Sequence, residues 1–455
     1  MRRAILLSIS FLVCSDLPLS ADDLTAQEQL GKSIFFDQQL SVNRNQSCAE
    51  CHKPESGWTG PNPAINQHGA VYEGSVQELF GNRKPPSSAY ATQSPVLHYV
   101  TQNTSSRFVG GNFWDGRATG EKLGLPAADQ AQGPFLNPVE QALPDNACVV
   151  YRVCSPVNPG QYPVSFEDVW GAQACDIRWP GNIESECAKP DGRIVLSDNN
   201  REKVNADYDN IALSIAAFEA SPESNQFSSK FDYFLKGKAI LTRQEKQGLE
   251  LFRGKAKCAN CHVIGADPKS GEPPLLTDFT YDNLGVPRNP ENPWYTMPSE
   301  YNPDGMSWTD KGLGGFLVTQ MDYQQFAREN YGKQKVPTLR NVDKRPGRGF
   351  VKAYGHNGYF KSLEGIVNFY NTRDVKPTCP DSFTTEQQAL LMNCWPEAEI
   401  PVNVNHTDMG NLGLSSRQEQ AIVAFLRTLS DGYEPDGGNN GHDNNGHDNN
   451  HHGQH

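Results

Sequence analysis

The run Cys48-Ala49-Glu50-Cys51-His52 returns as Cys258-Ala259-Asn260-Cys261-His262, its histidine 210 positions later (262 less 52). A C-x-x-C-H run is the attachment site of a c-type haem. Two thiols three residues apart lie on one side of a helical turn, where both form thioethers to the porphyrin vinyls, and the adjacent histidine reaches the iron. A zinc knuckle or a redox C-x-x-C would leave that histidine unexplained in both copies. The expectation is two covalently bound haems, held through Cys48, Cys51 and His52 and through Cys258, Cys261 and His262.

The surroundings repeat too. Gly31-Lys32-Ser33-Ile34-Phe35-Phe36 precedes the first motif and Gly248-Leu249-Glu250-Leu251-Phe252 the second, each with the apolar spacing of a helix. A period this long suits two domains of ordinary size rather than a solenoid. The predicted fold is therefore mainly α: two tandem class I cytochrome c-like haem domains with long loops and a disulfide-rich insertion.

Arg2 and Arg3, the apolar run Ala4 to Val13 and the small residues ending at Ala21 read as a secretory signal over 1–21. No later stretch is apolar for long enough to span a bilayer, so the mature chain is expected in the periplasm or at the outer cell surface. Of 11 cysteines, Cys14 leaves with the signal and four hold haem, and an even remainder in an exported chain reads as disulfides. Cys379 pairs with Cys394, whereas Cys148, Cys154, Cys175 and Cys187 allow three pairings that spacing does not separate. A net charge of −13 argues against nucleic acid and for a basic or surface-docking partner.

The first haem domain is expected over 22–205, with the cysteine-rich insertion at 141–205, and the second over 206–432. Within the latter, Asp209 to Ala220 has helical spacing, with Ile211, Ile215 and Phe218 on one face. The segment 433–455, almost wholly Gly, Asn, Asp and His, cannot bury a core. His68, 16 residues after His52, reads equally as a histidine of a surface loop and as an imidazole that a loop returning over the ring would place on the far face of the iron. Methionine is absent from the mature chain before Met297, so the first iron is expected to be weakly held or open at its sixth position. Peroxide chemistry needs such an iron, with a distal group to move a proton between the oxygens. Glu140 is the candidate acid/base, Gln130 the candidate distal donor and Trp114 the candidate aromatic bridge. By residue type alone each is more often structural: a capping glutamate, a surface glutamine, a core tryptophan.

The order C-x-x-C-H, Phe113-Trp114-Asp115-Gly116-Arg117, Gln130-Ala131-Gln132-Gly133-Pro134, Asn137-Pro138-Val139-Glu140 and a second C-x-x-C-H resembles the bacterial di-haem cytochrome c peroxidases and their MauG-type relatives. Val336-Pro337-Thr338-Leu339-Arg340-Asn341-Val342 and Gly355-His356-Asn357-Gly358 continue the match. The resemblance implies a peroxide-reacting haem at His52, an electron-relay haem at His262 with His356 beside it, and Trp114 between them. It also implies that Glu140 and Gln130 stand on the distal side and that His68 is a displaceable ligand. The peroxidases carry methionine 14 residues beyond the histidine matching His356; here that position is Tyr370, as in the MauG-type enzymes. A phenolate is a hard donor that lowers the potential of the haem it holds. The family's calcium site is also implied, but its Arg-Asn-x-Pro is here Arg83-Lys84-Pro85-Pro86, leaving Asn82 as a candidate ligand and Lys84 as a substitute cation. The implied reaction is reduction of hydrogen peroxide to water with electrons from a small cytochrome or cupredoxin. The alternative is a MauG-like oxidase that modifies residues of a partner protein.

Overall fold

The computed structural model describes residues 24–102, 105–155, 162, 164–265 and 273–435. The expected signal peptide and nearly all of the terminal tail lie outside them. The chain is mainly helical. Seven helices of nine residues or more are described: α1 (Ala26–Phe35), α2 (Pro126–Leu136), α3 (Asn146–Cys154), α4 (Asp198–Ala220), α5 (Arg243–Arg253), α6 (Leu363–Thr372) and α7 (Ser416–Arg427). Two small antiparallel pairs join β1 (His98–Gln102) to β2 (Ser105–Val109) and β3 (Tyr281–Asp282) to β4 (Gln334–Lys335). No helix among the described residues is long and apolar enough to cross a membrane.

Two helix crossings organise the chain, α1 on α4 and α5 on α7. In the first, the α-carbon of Gly31 lies so close to the Ser214 carbonyl that a Cβ would collide with it; in the second, Gly248 meets the Ala421 carbonyl in the same way. Both glycines stand in the repeated sequence windows. Lacking a side chain, each lets two helix backbones approach where any other residue would force them apart. Thr25 and Thr242 start α1 and α5 with the same capping box, to Glu28 and Glu245, which satisfies two of the free amides at each helix start.

One hydrophobic core gathers Leu30, Ile34, Phe35, Trp58, Ile211, Ile215 and Phe218; another gathers Phe231, Leu249, Phe252, Phe369, Ile422 and Phe425. Helix α4 is longer than its predicted extent and starts at the Ser197 cap, whose side chain accepts from the Asn200 amide. The expected division at residue 205 falls inside it. Because its apolar face packs on α1, the change of core comes after it, between Phe218 and Phe231. The cysteine-rich segment is stapled Cys148–Cys187 and Cys154–Cys175, and the third bridge is Cys379–Cys394.

Candidate haem sites

Each C-x-x-C-H run folds as a single turn. The amides of Cys51 and His52 both donate to the Cys48 carbonyl, at 3.2 and 3.0 Å, and those of Cys261 and His262 to the Cys258 carbonyl, at 3.3 and 2.9 Å. Both cysteines of a pair and the histidine then face one cavity. All four are free thiols, whereas the other six described cysteines are bridged. Burial pushes the thiols of Cys48, Cys258 and Cys261 up to about 12, so they are uncharged.

Each imidazole is oriented by a carbonyl. His52 Nδ1 lies 3.1 Å from the Trp58 carbonyl and His262 Nδ1 lies 2.9 Å from that of Leu276. Trp58 is clamped edge-on by Phe35 and Phe218. Burial lowers the pKa of both histidines, that of His52 to about 4. A neutral ring that donates at Nδ1 leaves the Nε2 lone pair for a metal.

One cavity lies against His52 and a second against His262. Trp114 lines both. Its indole Nε1 donates to the Lys84 carbonyl at 2.8 Å, and its ring centre is 6.4 Å from that of His356.

Glu140 and Gln130 line the His52 cavity together with Trp114 and Arg117. Burial, against the pull of Arg117 and a hydrogen bond from Asn137, holds the Glu140 carboxyl above the usual range. This is the direction that keeps a proton available for transfer. His68 does not line this cavity. It caps the short helix Pro63–Gln67, its ring is 66% exposed, and Nδ1 pairs with Glu291 at 2.9 Å. Its carbonyl accepts from Asn289 and Lys361, so the loop is fastened to the 289–291 segment instead of folding over the iron position.

Tyr370, on α6, lines the His262 cavity, as do His356 and Met409. The Tyr370 hydroxyl has no hydrogen bond among the described residues, and burial first, then the nearby thiols, raises its pKa. The His356 Nε2 is buried and unpartnered, 3.8 Å from Asp310 and 3.7 Å from Glu399.

The donor set fits two c-type haems: paired uncharged thiols, a neutral imidazole with a free Nε2, and a largely apolar wall at each site. Lys335 adds a cation. Its buried ammonium donates to Ser94 Oγ, Asn112 Oδ1 and the Gly111 carbonyl, has no described carboxylate partner and lines both the His262 cavity and a smaller one beside His52. Haem propionates are the anions such a group would meet. The residues do not fit calcium. The buried Lys84 ammonium donates to Thr59 Oγ1 at 3.0 Å and the Pro85 carbonyl at 2.9 Å, and that of Lys352 to the Ser56 and Asn341 carbonyls at 2.8 Å. Oxygens of the kind a hard cation needs are taken by ammonium groups, whose charge repels a dication. The Asn82 carbonyl is taken as well, by the Asn292 side chain.

Two buried groups were not singled out by sequence. Lys335 gave no signal of its own. Glu219 is 3% exposed and lines both cavities beside His52. It follows Ile211 and Ile215 at four-residue steps, so helical spacing already put it on the buried face.

The sequence model of the di-haem cytochrome c peroxidase family matches residues 25–240. Methylamine utilization protein MauG of Paracoccus denitrificans is 31% identical over 91% of this chain and 91% of its own. Cytochrome-c peroxidase IdrP1 of Denitromonas iodatirespirans is 25% identical over 92% of this chain and 84% of its own. Among solved structures, the diheme peroxidase BthA of Burkholderia thailandensis superimposes with a TM-score of 0.62 at 27% identity, over 89% of this chain and 86% of that one.

Proposed function

From the premise that the chain belongs to the di-haem cytochrome c peroxidase family, which includes both peroxidases and MauG-like oxidases, we propose that it reduces hydrogen peroxide at a haem held by His52 and open at rest. Each half is a cytochrome c-like haem unit, and electrons enter from a small redox protein through the haem held by His262. The haem supplies an iron that takes peroxide and stores oxidising equivalents. Glu140 moves the proton that lets the O–O bond break to give water, and Gln130 orients the peroxide by hydrogen bonding. Trp114 spans the two sites and Tyr370 would hold the second iron. The observation that carries the reading is that Glu140, Gln130 and Trp114 share the His52 cavity while His68 lies outside it. The disulfides favour an exported protein.

The fully oxidised holoprotein should then react with hydrogen peroxide at once, without prior reduction, and turn over with a reduced small cytochrome or cupredoxin. His68→Gly should change neither the resting spectrum nor that rate. A resting enzyme low-spin at both haems that reacts only after reduction would overturn the open-site reading. The MauG-like alternative is favoured by Tyr370 and by the extent of the likeness to MauG. Fast reaction with peroxide but no turnover of a redox carrier, with covalent change in a partner protein, would establish it instead.

A further inference from the structure

We propose that Trp294 and Trp308 form a relay that carries oxidising equivalents from the His52 cavity towards the protein surface. The inference rests on the reading that peroxide reacts at the His52 haem. Trp294 lines that cavity with Glu140 and Cys51, and its indole Nε1 is buried with no hydrogen-bond partner among the described residues. A buried tryptophan N–H ordinarily finds an acceptor, and leaving it unpaired is costly. The Trp308 ring centre is 6.0 Å from that of Trp294, edge to face. Trp308 is part exposed, and its near neighbour Met306 is 52% exposed, so the pair runs from the cavity wall to solvent.

The neighbouring aromatics show why the path ends at Trp308. Tyr295 lies 6.1 Å from Trp308 and 6.5 Å from Phe383. The Arg288 guanidinium covers both of these rings, at 4.6 Å and 5.2 Å from their centres. A cation over a ring is attracted by its electrons and opposes their removal. No cation is described over either tryptophan. The hole is thus excluded from Tyr295 and Phe383 and comes to rest on Trp308.

When no donor is present, the electrons that peroxide needs come from Trp308 by way of Trp294. Hydrogen peroxide takes two electrons and two protons, its O–O bond breaks and two waters form. The Trp308 ring gives up those two electrons, one C–H bond breaks, a C–O bond forms to oxygen from water, and two protons are released. The sum is one hydroxylated tryptophan and one water for each peroxide consumed.

The test uses the full holoprotein with both haems, treated with hydrogen peroxide without a donor in isotopically labelled water. Peptide mass spectrometry should find labelled oxygen on Trp308. Trp294→Phe should lower that labelling several-fold, while oxidation of Met321, which is 86% exposed and reports direct attack by peroxide, stays unchanged. Trp308→Phe should prolong the peroxide-altered haem spectrum several-fold. Equal labelling of Trp308 in wild type and Trp294→Phe, or an unchanged spectral lifetime in Trp308→Phe, overturns the relay. Absence of any peroxide-induced change in the wild-type haem spectrum would instead overturn the reading beneath it.

Discussion

Trp114 donates its indole N–H to the main-chain carbonyl of Lys84 at 2.8 Å, and the ammonium of that lysine is buried in turn against Thr59 Oγ1 and the Pro85 carbonyl. The ring that borders both haem cavities is held by a residue whose own charge has no carboxylate beside it. Burial brings that ammonium down to about 8, so at neutral pH it remains largely protonated and does what a bound cation would do. A chelator of divalent metals should therefore leave the haem spectra and the peroxide reaction unchanged. Lys84→Met, which orphans two acceptors, should lower stability by about 1–2 kcal/mol and alter the spectra of both haems. Loss of activity on chelation, restored by calcium, would refute this.

The two glycine crossings offer a test of how far the halves stand alone. Gly31→Ala puts a methyl against the Ser214 carbonyl and Gly248→Ala one against that of Ala421. Each should cost about 1–3 kcal/mol, the range for an overpacked contact. If each core is its own unit, Gly31→Ala lowers the melting of the haem held by His52 and leaves that of the other, while Gly248→Ala does the reverse. Heating followed at the absorption bands of the two haems separates these outcomes, and equal loss at both haems would mean a single cooperative unit.

Much of this was legible in the sequence because the same physics had been written into it twice. The C-x-x-C-H spacing dictates its turn, and the apolar windows ahead of it place Gly31 and Gly248 at the helix contacts. Trp114, Gln130, Glu140 and Tyr370 all border the cavities where the motifs put them. What stayed illegible depended on partners far away in the chain. The spacing of His68 suits a ligand or a surface loop, and nothing local announces the contact its ring makes with Glu291 across 223 residues. The pairing of Cys148 with Cys187 and of Cys154 with Cys175 follows from how α3 meets the rest of the insertion, which loop lengths do not encode. Residue 205 lies inside α4, whose serine cap stands well ahead of its apolar stripe.

Tyr370 lines the His262 cavity with its hydroxyl free of any described hydrogen bond. Unbound, this buried phenol holds its proton more tightly than usual, so it becomes a phenolate only when a metal takes the proton's place. Tyr370→Met should then abolish a phenolate-type ferric spectrum and raise the potential of that haem. A variant with the wild-type spectrum and potential would show that another group, with Met409 next in the same cavity, holds the iron.

Glu219 gives the chain a pH dependence that can be read from its surroundings. Its carboxyl is 3% exposed, has no described hydrogen bond, and burial alone raises its pKa from 4.5 to about 8. In the unfolded chain it ionises near pH 4.5; in the folded chain it keeps its proton until about pH 8. Between these values the unfolded state has lost a proton that the folded state still holds. The contribution is therefore fully present below the lower value and is lost as pH rises through the upper one. At about 1.36 kcal/mol per unit, and allowing for relaxation around the charge, the loss is of order 3 kcal/mol. Glu219→Gln removes the titration while keeping the shape. Urea unfolding of the holoprotein at pH values below and above this window should show the variant gaining on the wild type by that amount as the pH is raised. Parallel pH profiles for the two proteins would mean that the carboxyl is already ionised in the folded chain, with a cation from the haem site or water beside it.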